Sequence, residues 1–275
     1  MTIKTLLTEA VQALTSAGIE EASNDARLLF EEAFGMDRAS YFLHVNDEAD
    51  KDKEKIFLDY IQRRAARQPL QYITGKAYFM GLEFSVDENV LIPRFDTEIL
   101  VENALKNTDK AMHVLDMCTG SGCIAISMAL LKGAKCTAVD YSSGALAVAR
   151  KNAVSLNADV EFIQSDMFDG VYGLYDVILS NPPYIRTDVI DGLEPEVKVC
   201  EPMMALDGGA DGLYFYRILA KKSPSYLKAN GLLMMEIGFD QAEDVSGLLE
   251  ENQFTDIRVI RDLAGLERVV CGRRK

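Results

Sequence analysis

The tetrapeptide Asn181-Pro182-Pro183-Tyr184 follows the apolar run Val177-Ile178-Leu179-Ser180. A run of that kind reads as a buried strand, and the carboxyl ends of such strands are where open α/β sheets place their chemistry. Two prolines fix the backbone and remove two N–H donors, so the turn presents carbonyl oxygens in a rigid arrangement. Such an acceptor-rich cage suits a planar NH2 group. The Asn181 side-chain oxygen and the Pro182 carbonyl each take one N–H, and Tyr184 packs against the flat face. A group of this kind is a poor nucleophile because its lone pair is delocalised. Two acceptors holding both protons raise electron density on nitrogen and aim the lone pair, so the work is positioning and electrostatics rather than strong general base catalysis. The presence of only two histidines, His44 and His113, agrees with such chemistry.

A second candidate lies upstream. Asp116-Met117-Cys118-Thr119-Gly120-Ser121-Gly122-Cys123 leaves one apolar run and enters a helical pattern. Glycines there let the backbone approach a ligand, and free N–H groups at a helix start favour electronegative atoms. Asp140 ends the next run, 20 residues beyond Gly120, where a carboxylate can accept both hydroxyl protons of a ribose. Asp166, in Ser165-Asp166-Met167-Phe168, is placed to accept from an adenine amino group while Met167 or Phe168 covers the ring. Two ligand classes fit the turn: a dinucleotide, for which Ala125 stands in the place of the third glycine, and S-adenosylmethionine, for which Cys118 replaces the first.

The elements that must hold these residues alternate. From residue 112 onward, HVLDM, KCTAVD, VEFIQ, YDVILS and LLMMEI read as strands, separated by amphipathic helices, with DIRVI and ERVVC closing the chain as an antiparallel edge pair. This implies a mostly parallel, doubly wound sheet. Residues 5–67 instead show apolar positions at three- and four-residue spacing, a small helical bundle with stops at Gly18 and Gly35 and starts near Asn24-Asp25 and Asn46-Asp47. Residues 70–92 carry β-branched and aromatic residues around Gly75 and Gly81 and read as a hairpin-like linker; Asp96 or Thr97 then caps a helix.

Composition narrows the partners. With 29 basic and 43 acidic residues the chain carries a net charge of −14, shared by both halves (10 basic and 16 acidic residues precede Ile92). Nucleic-acid affinity comes largely from Lys and Arg displacing counterions, so a protein partner is favoured over DNA or RNA. Five cysteines without a CxxC pair point to reduced, mostly buried thiols, with Cys123 and Cys136 in the core, and no metal site is expected. No apolar run reaches the roughly 20 residues of a membrane helix, so no membrane association is expected and the cytoplasm is the expected location. His113 reads as packed in the first strand and His44 as a helix end. Arg63, Arg64 and Arg67 read as a solvated helix face, or else as a contact for an acidic partner or ribosomal RNA.

Taken together, Asp116 to Gly122, Asp140, Ser165-Asp166 and Asn181 to Tyr184 resemble class I S-adenosylmethionine-dependent methyltransferases that modify planar nitrogen. NPPY alone is shared with adenine-N6 methyltransferases. Gln68 to Gly75 (QPLQYITG), Ile92 to Glu98 (IPRFDTE) and Glu201 to Leu213 (EPMMALDGGADGL) are similar to the narrower family of HemK-type release factor glutamine methyltransferases, over nearly the whole chain. The resemblance implies a helical substrate-recognition domain (1–70), a β-hairpin linker (71–92) and a seven-stranded catalytic domain (93–275). It implies transfer of a methyl group from S-adenosyl-L-methionine, leaving S-adenosyl-L-homocysteine, to the side-chain amide nitrogen of the glutamine in the Gly-Gly-Gln loop of peptide chain release factors. In that reading Asp116, Cys118, Thr119, Gly120, Ser121 and Gly122 wrap the methionine part, Asp140 holds the ribose, and Asp166 and Met167 flank adenine. Asn181, Pro182, Pro183 and Tyr184 hold the glutamine, with Asn181 also bordering the cofactor, and Arg94 and Glu201 line the substrate channel. The protein is expected to act as a monomer. Two departures stand out: Cys118 where the fold pattern has Gly, which asks only for a small residue, and Phe95 where the family often has Pro. The rival readings are an adenine-N6 methyltransferase, an NAD-dependent oxidoreductase and a cofactor-binding adaptor without activity.

Overall fold

In the N-terminal segment, Ile3, Leu6, Ala10 and Leu14 recur at helical spacing, so α1 (Ile3–Ser16) buries one apolar face; Thr2 caps it by accepting the Thr5 N–H. The computed structural model describes residues 1–275 and divides into two units, the first being Met1–Gly75 with Glu194–Cys200. α1 is followed by α2 (Ala22–Phe34), α3 (Arg38–His44), α4 (Lys51–Ala65) and α5 (Leu70–Thr74). Their core is aromatic: Phe30 meets Phe57 edge-on with centroids 5.6 Å apart, and Phe34 stacks on Phe30. Gly35 ends α2 at φ 62°, a left-handed turn that glycine adopts without strain.

Two helix starts differ from the sequence reading. α2 begins at Ala22, and Asp25 turns inward to accept the Arg64 Nε–H at 2.7 Å, while α4 begins after Asp50, whose carboxylate accepts the N–H groups of Asp52 and Lys53. The basic run is not a solvated face either. Arg64 is only 11% exposed and also reaches Glu196 at 3.0 Å, where Arg67 joins it at 3.2 Å; Arg63 donates to Gln68 and to the Tyr72 carbonyl. Buried acids draw these cations inward, a pairing that sequence spacing does not reveal.

The second unit comprises Lys76–Leu193 and Glu201–Lys275. It opens with a hairpin of β1 (Lys76–Phe79) and β2 (Leu82–Ser85), so the hairpin is shorter than the expected linker, whose first residues are helical. α6 (Phe95–Asn107) follows with Arg94 at its cap; Asp96 and Thr97 lie inside its first turn rather than capping it. Then come β3 (His113–Met117), α7 (Cys123–Lys132), β4 (Lys135–Asp140), α8 (Ser143–Leu156), β5 (Val160–Gln164) and β6 (Tyr175–Ser180). The chain passes through α9 (Pro195–Cys200), in the first unit, and returns as α10 (Tyr214–Lys222), β7 (Leu227–Glu236), α11 (Ala242–Glu251), β8 (Phe254–Arg261) and β9 (Glu267–Arg274).

The sheet order is β5-β4-β3-β6-β7-β9-β8, parallel except for β9, which is antiparallel to both neighbours. Val114, Leu115, Ile178 and Leu179 are fully buried, as central strands covered on both faces require. His113 starts β3 exposed instead of packed, its N–H donated to Asp176. Strand order reverses between β3 and β6, the switch point where parallel sheets open a crevice. Met117 pairs with Ser180, and Ser180 with Met235, so Cys118, Asn181 and Glu236 emerge side by side at that crevice. This is the class I methyltransferase arrangement anticipated from the alternating pattern, with a helical N-terminal unit.

Candidate active site

A cavity of about 620 Å³ opens at these strand ends. Cys118, Thr119, Gly120 and Ser121 line it from the turn after β3, Asp140 from the end of β4, Asp166 and Met167 from beyond β5, and Asn181 and Pro183 from beyond β6. Arg94 and Thr97 line it from the start of α6. Residues separated by nearly ninety positions thus converge on one space.

The glycine turn is held from behind. Asp116 is wholly buried and does not line the cavity; its Oδ2 accepts the Thr119 hydroxyl at 2.5 Å and the Ala125 N–H at 3.2 Å. Its expected contact with a ligand is therefore replaced by a tie between the turn and the first turn of α7. Burial pushes its carboxyl up to about 7. Gly122 is likewise a packing residue: at φ 82° a Cβ there would stand 3.0 Å from Ile126 and 3.1 Å from Ala149. Asn152 of α8, which the sequence reading missed, completes the support. It accepts the Ser85 N–H at 2.7 Å and donates to the Ser121 carbonyl at 2.9 Å, while 1% exposed.

Cys118 adopts φ 64° and Met167 φ 47°. The position of Cys118 thus asks for left-handed backbone as well as small size, which explains the glycine of the general pattern. Holding a non-glycine residue there costs on the order of 1 kcal/mol. The two side chains meet across the cavity floor, sulfur to sulfur at 3.9 Å.

Asp140 accepts the Gly120 N–H at 2.8 Å through Oδ2 and the Ser142 N–H at 2.9 Å through Oδ1. Burial raises its carboxyl above the usual range. A pyrophosphate has little to gain here. The turn's N–H is already donated to a carboxylate, and the wall holds Asp140 and Asp166. An acceptor for ribose hydroxyls, set in an acidic and apolar wall, suits a nucleoside bearing positive charge instead.

The NPPY turn is held by residues far away in sequence. Ser180 donates its hydroxyl to the Met117 carbonyl at 2.7 Å, locking β6 to β3. Asn181 Nδ2 donates to Thr97 Oγ1 at 3.0 Å. Gly208 passes so close that a Cβ would lie 2.7 Å from Tyr184 Cα and 2.9 Å from the Pro183 carbonyl oxygen; one on Gly212 would lie 2.5 Å from the Tyr184 oxygen. Gln241 donates to that Tyr184 carbonyl at 3.0 Å. The glycines of the LDGGADGL run therefore serve as a close brace for NPPY.

Three expected substrate contacts are placed differently. Pro182 is buried and does not line the cavity. Tyr184 turns away from it, its hydroxyl 3.4 Å from Glu236 Oε1, because a buried acid offers that hydroxyl a partner. Glu201 also lies behind the lining: its side chain is 1% exposed and pairs with Arg94 at 2.5 Å, leaving Arg94 to face the cavity. Burial raises the Glu201 carboxyl despite that arginine.

Comparison with known proteins agrees with this architecture. Residues 5–75 match the PrmC N-terminal domain and residues 94–201 the methyltransferase small domain. The chain is 41% identical to a release factor glutamine methyltransferase of Geobacter sulfurreducens, over 94% of this chain and 92% of that one. It is 42% identical to one from Cereibacter sphaeroides, over 97% and 96% respectively. A methyltransferase from Pyrococcus furiosus shares the fold, with a TM-score of 0.54 at 15% identity, covering 82% of this chain and 99% of that one. The chain belongs to the release factor glutamine methyltransferase family.

Proposed function

We propose that the protein transfers a methyl group from S-adenosyl-L-methionine to the side-chain amide nitrogen of the glutamine in the Gly-Gly-Gln loop of peptide chain release factors. The observation that carries this reading is Asn181, fixed at the rim of an acidic, apolar cavity with its Nδ2 committed to Thr97 and its Oδ1 left to accept. Near-full-length likeness to release factor methyltransferases selects the substrate.

When bound, S-adenosylmethionine supplies a methyl carbon made electrophilic by its sulfonium charge. The residues fit such a ligand: Asp140 accepts from ribose hydroxyls, Asp166 and Met167 border the adenine, and Cys118 to Ser121 wrap the rest. Asp140 and Asp166 favour the positive charge electrostatically. Asn181 Oδ1 accepts an amide proton of the glutamine, holds its nitrogen still and enriches its electron density. The surplus proton leaves to solvent once nitrogen is substituted, so no histidine is required. Arg94, steadied by Glu201, borders the entering loop, and the helical unit recognises the body of the factor. The charge of −14 favours this over an adenine in DNA or RNA. No helix is long and apolar enough to cross a membrane.

The test is transfer of labelled methyl onto a purified release factor, onto the same factor with its loop glutamine replaced, and onto duplex DNA. Label on the intact factor alone is expected; label on DNA, or equal label on both forms of the factor, overturns the assignment.

A further inference from the structure

We propose that Glu236 is a positioning residue that sets the hydrogen-bonding polarity of Asn181 through the hydroxyl of Thr97. The inference rests on the reading that Asn181 accepts from the substrate amide. A planar side-chain amide can sit either way round, and here the difference decides function. With Nδ2 on Thr97, Oδ1 is free to accept from the substrate. Reversed, Asn181 would present its own NH2 to the NH2 it must bind, two donors face to face.

The hydrogen of Thr97 decides which orientation holds. A hydroxyl has one hydrogen to give. Thr97 Oγ1 accepts from Asn181 at 3.0 Å, so its hydrogen must go elsewhere. Glu236 ends β7 directly beside the end of β6, is 2% exposed, and has one carboxylate oxygen, Oε2, with no hydrogen-bond partner; Tyr184 approaches the other at 3.4 Å. The Thr97 hydroxyl lies near enough to favour the ionised form of Glu236. A hydroxyl hydrogen in need of an acceptor thus sits beside a buried oxygen in need of a donor. An ionised Glu236 takes that hydrogen and keeps Thr97 an acceptor toward Asn181. A protonated Glu236 donates to Thr97 instead and frees the Thr97 hydrogen for Asn181 Oδ1, the wrong polarity.

Titration falls in a useful range. Burial is the main cause that pushes Glu236 up to about 7; Asp96 of α6 raises it further, while Thr97, Tyr184 and Arg268 of β9 lower it. Tyr216 of α10 and Cys123 of α7 also face it, and both are held neutral, their own acidities weakened by burial and by this carboxylate. The active polarity therefore gains as pH rises through about 7.

The experiment measures kcat against pH, with saturating S-adenosylmethionine and a purified release factor, for the wild type, Glu236→Gln, Thr97→Val, Thr97→Ser and the double variant Glu236→Gln/Thr97→Val. The wild type is expected to show a rising limb near pH 7. Glu236→Gln, which cannot ionise and has one oxygen to serve both Tyr184 and Thr97, loses that limb and runs about 10–100-fold slower, with S-adenosylmethionine affinity kept. Thr97→Val, equal in shape but without the hydroxyl, falls similarly, Thr97→Ser recovers most of the rate, and the double variant is no worse than either single one. Should Glu236→Gln fail to fold, the Thr97 pair decides. A wild-type rate in Thr97→Val, additive losses in the double variant, or a surviving limb in Glu236→Gln overturns the proposal. A wild type that leaves the release factor unlabelled at every pH overturns the assignment of the reaction itself.

Discussion

The two halves of the cavity are backed by the same device put to different ends. Behind the glycine turn lies Asp116 and behind NPPY lies Glu236; both are buried carboxyls pushed up to about 7 by burial. Asp116 is served by neighbours three and nine residues away, Thr119 and Ala125, so that half is a local fold of β3 into α7. Glu236 is served from 52 residues away by Tyr184 and lies beside Thr97 of α6. The nucleoside half is built from successive strand ends between Cys118 and Met167. Orienting an amide for chemistry draws instead on Thr97, Asn181, Tyr184 and Glu236, from elements far apart in the chain.

If the halves divide the labour as proposed, breaking the second should stop chemistry and breaking the first should weaken binding. The largest effect is expected from Asn181→Ala: kcat for release factor methylation falls about 10²–10³-fold, while S-adenosylmethionine affinity by calorimetry changes little. Next, Asp140→Ala removes a charged acceptor worth about 1.5–3 kcal/mol, so S-adenosylmethionine affinity falls by about 10–100-fold in the same titration. Gly208→Ala forces a Cβ against Tyr184 and Pro183 and is expected to lower kcat about 10-fold, with affinity kept, in steady-state assays. A matching loss of affinity would show that the halves are not separable.

The smallest effect concerns stability. The folded carboxyl of Asp116 titrates near 7, above the unfolded value near 3.8, so its protonated form is favoured by folding. Its contribution is full below the unfolded value and is lost as pH rises through about 7. Melting temperatures measured from pH 5 to 8 should therefore decline less steeply for Asp116→Asn than for the wild type. Parallel profiles would mean that the aspartate adds no pH dependence of stability over that range.

Legibility in the sequence follows the same division. The alternating strands, the glycine turn, Asp140 at a strand end and the NPPY tetrapeptide all follow from short-range pattern, and the structure brings them to one cavity. What sequence spacing could not supply was which residues face the cavity and which stand behind it. Asp116, Gly122, Tyr184 and Glu201 all read as ligand contacts, and all four lie in the supporting layer. Asn152 and Glu236 carried no local signal, for Asn152 follows Arg150 and Lys151 in α8 and Glu236 is the last residue of β7, and the partners of each belong to other elements. A polar residue at a core-facing position is the one cue that could have found them. Arg64 teaches the same lesson in the helical unit, where a run that looks solvated is drawn onto Asp25 and Glu196.

The division of labour is tested most directly by single-turnover methylation of a release factor at S-adenosylmethionine concentrations far above every measured dissociation constant. Under those conditions Asp140→Ala is expected to regain a rate within about threefold of the wild type, since lost affinity is overcome by mass action, while Asn181→Ala stays at least about 100-fold slow. Asp140→Ala remaining slow at saturation, or Asn181→Ala recovering, would contradict the account.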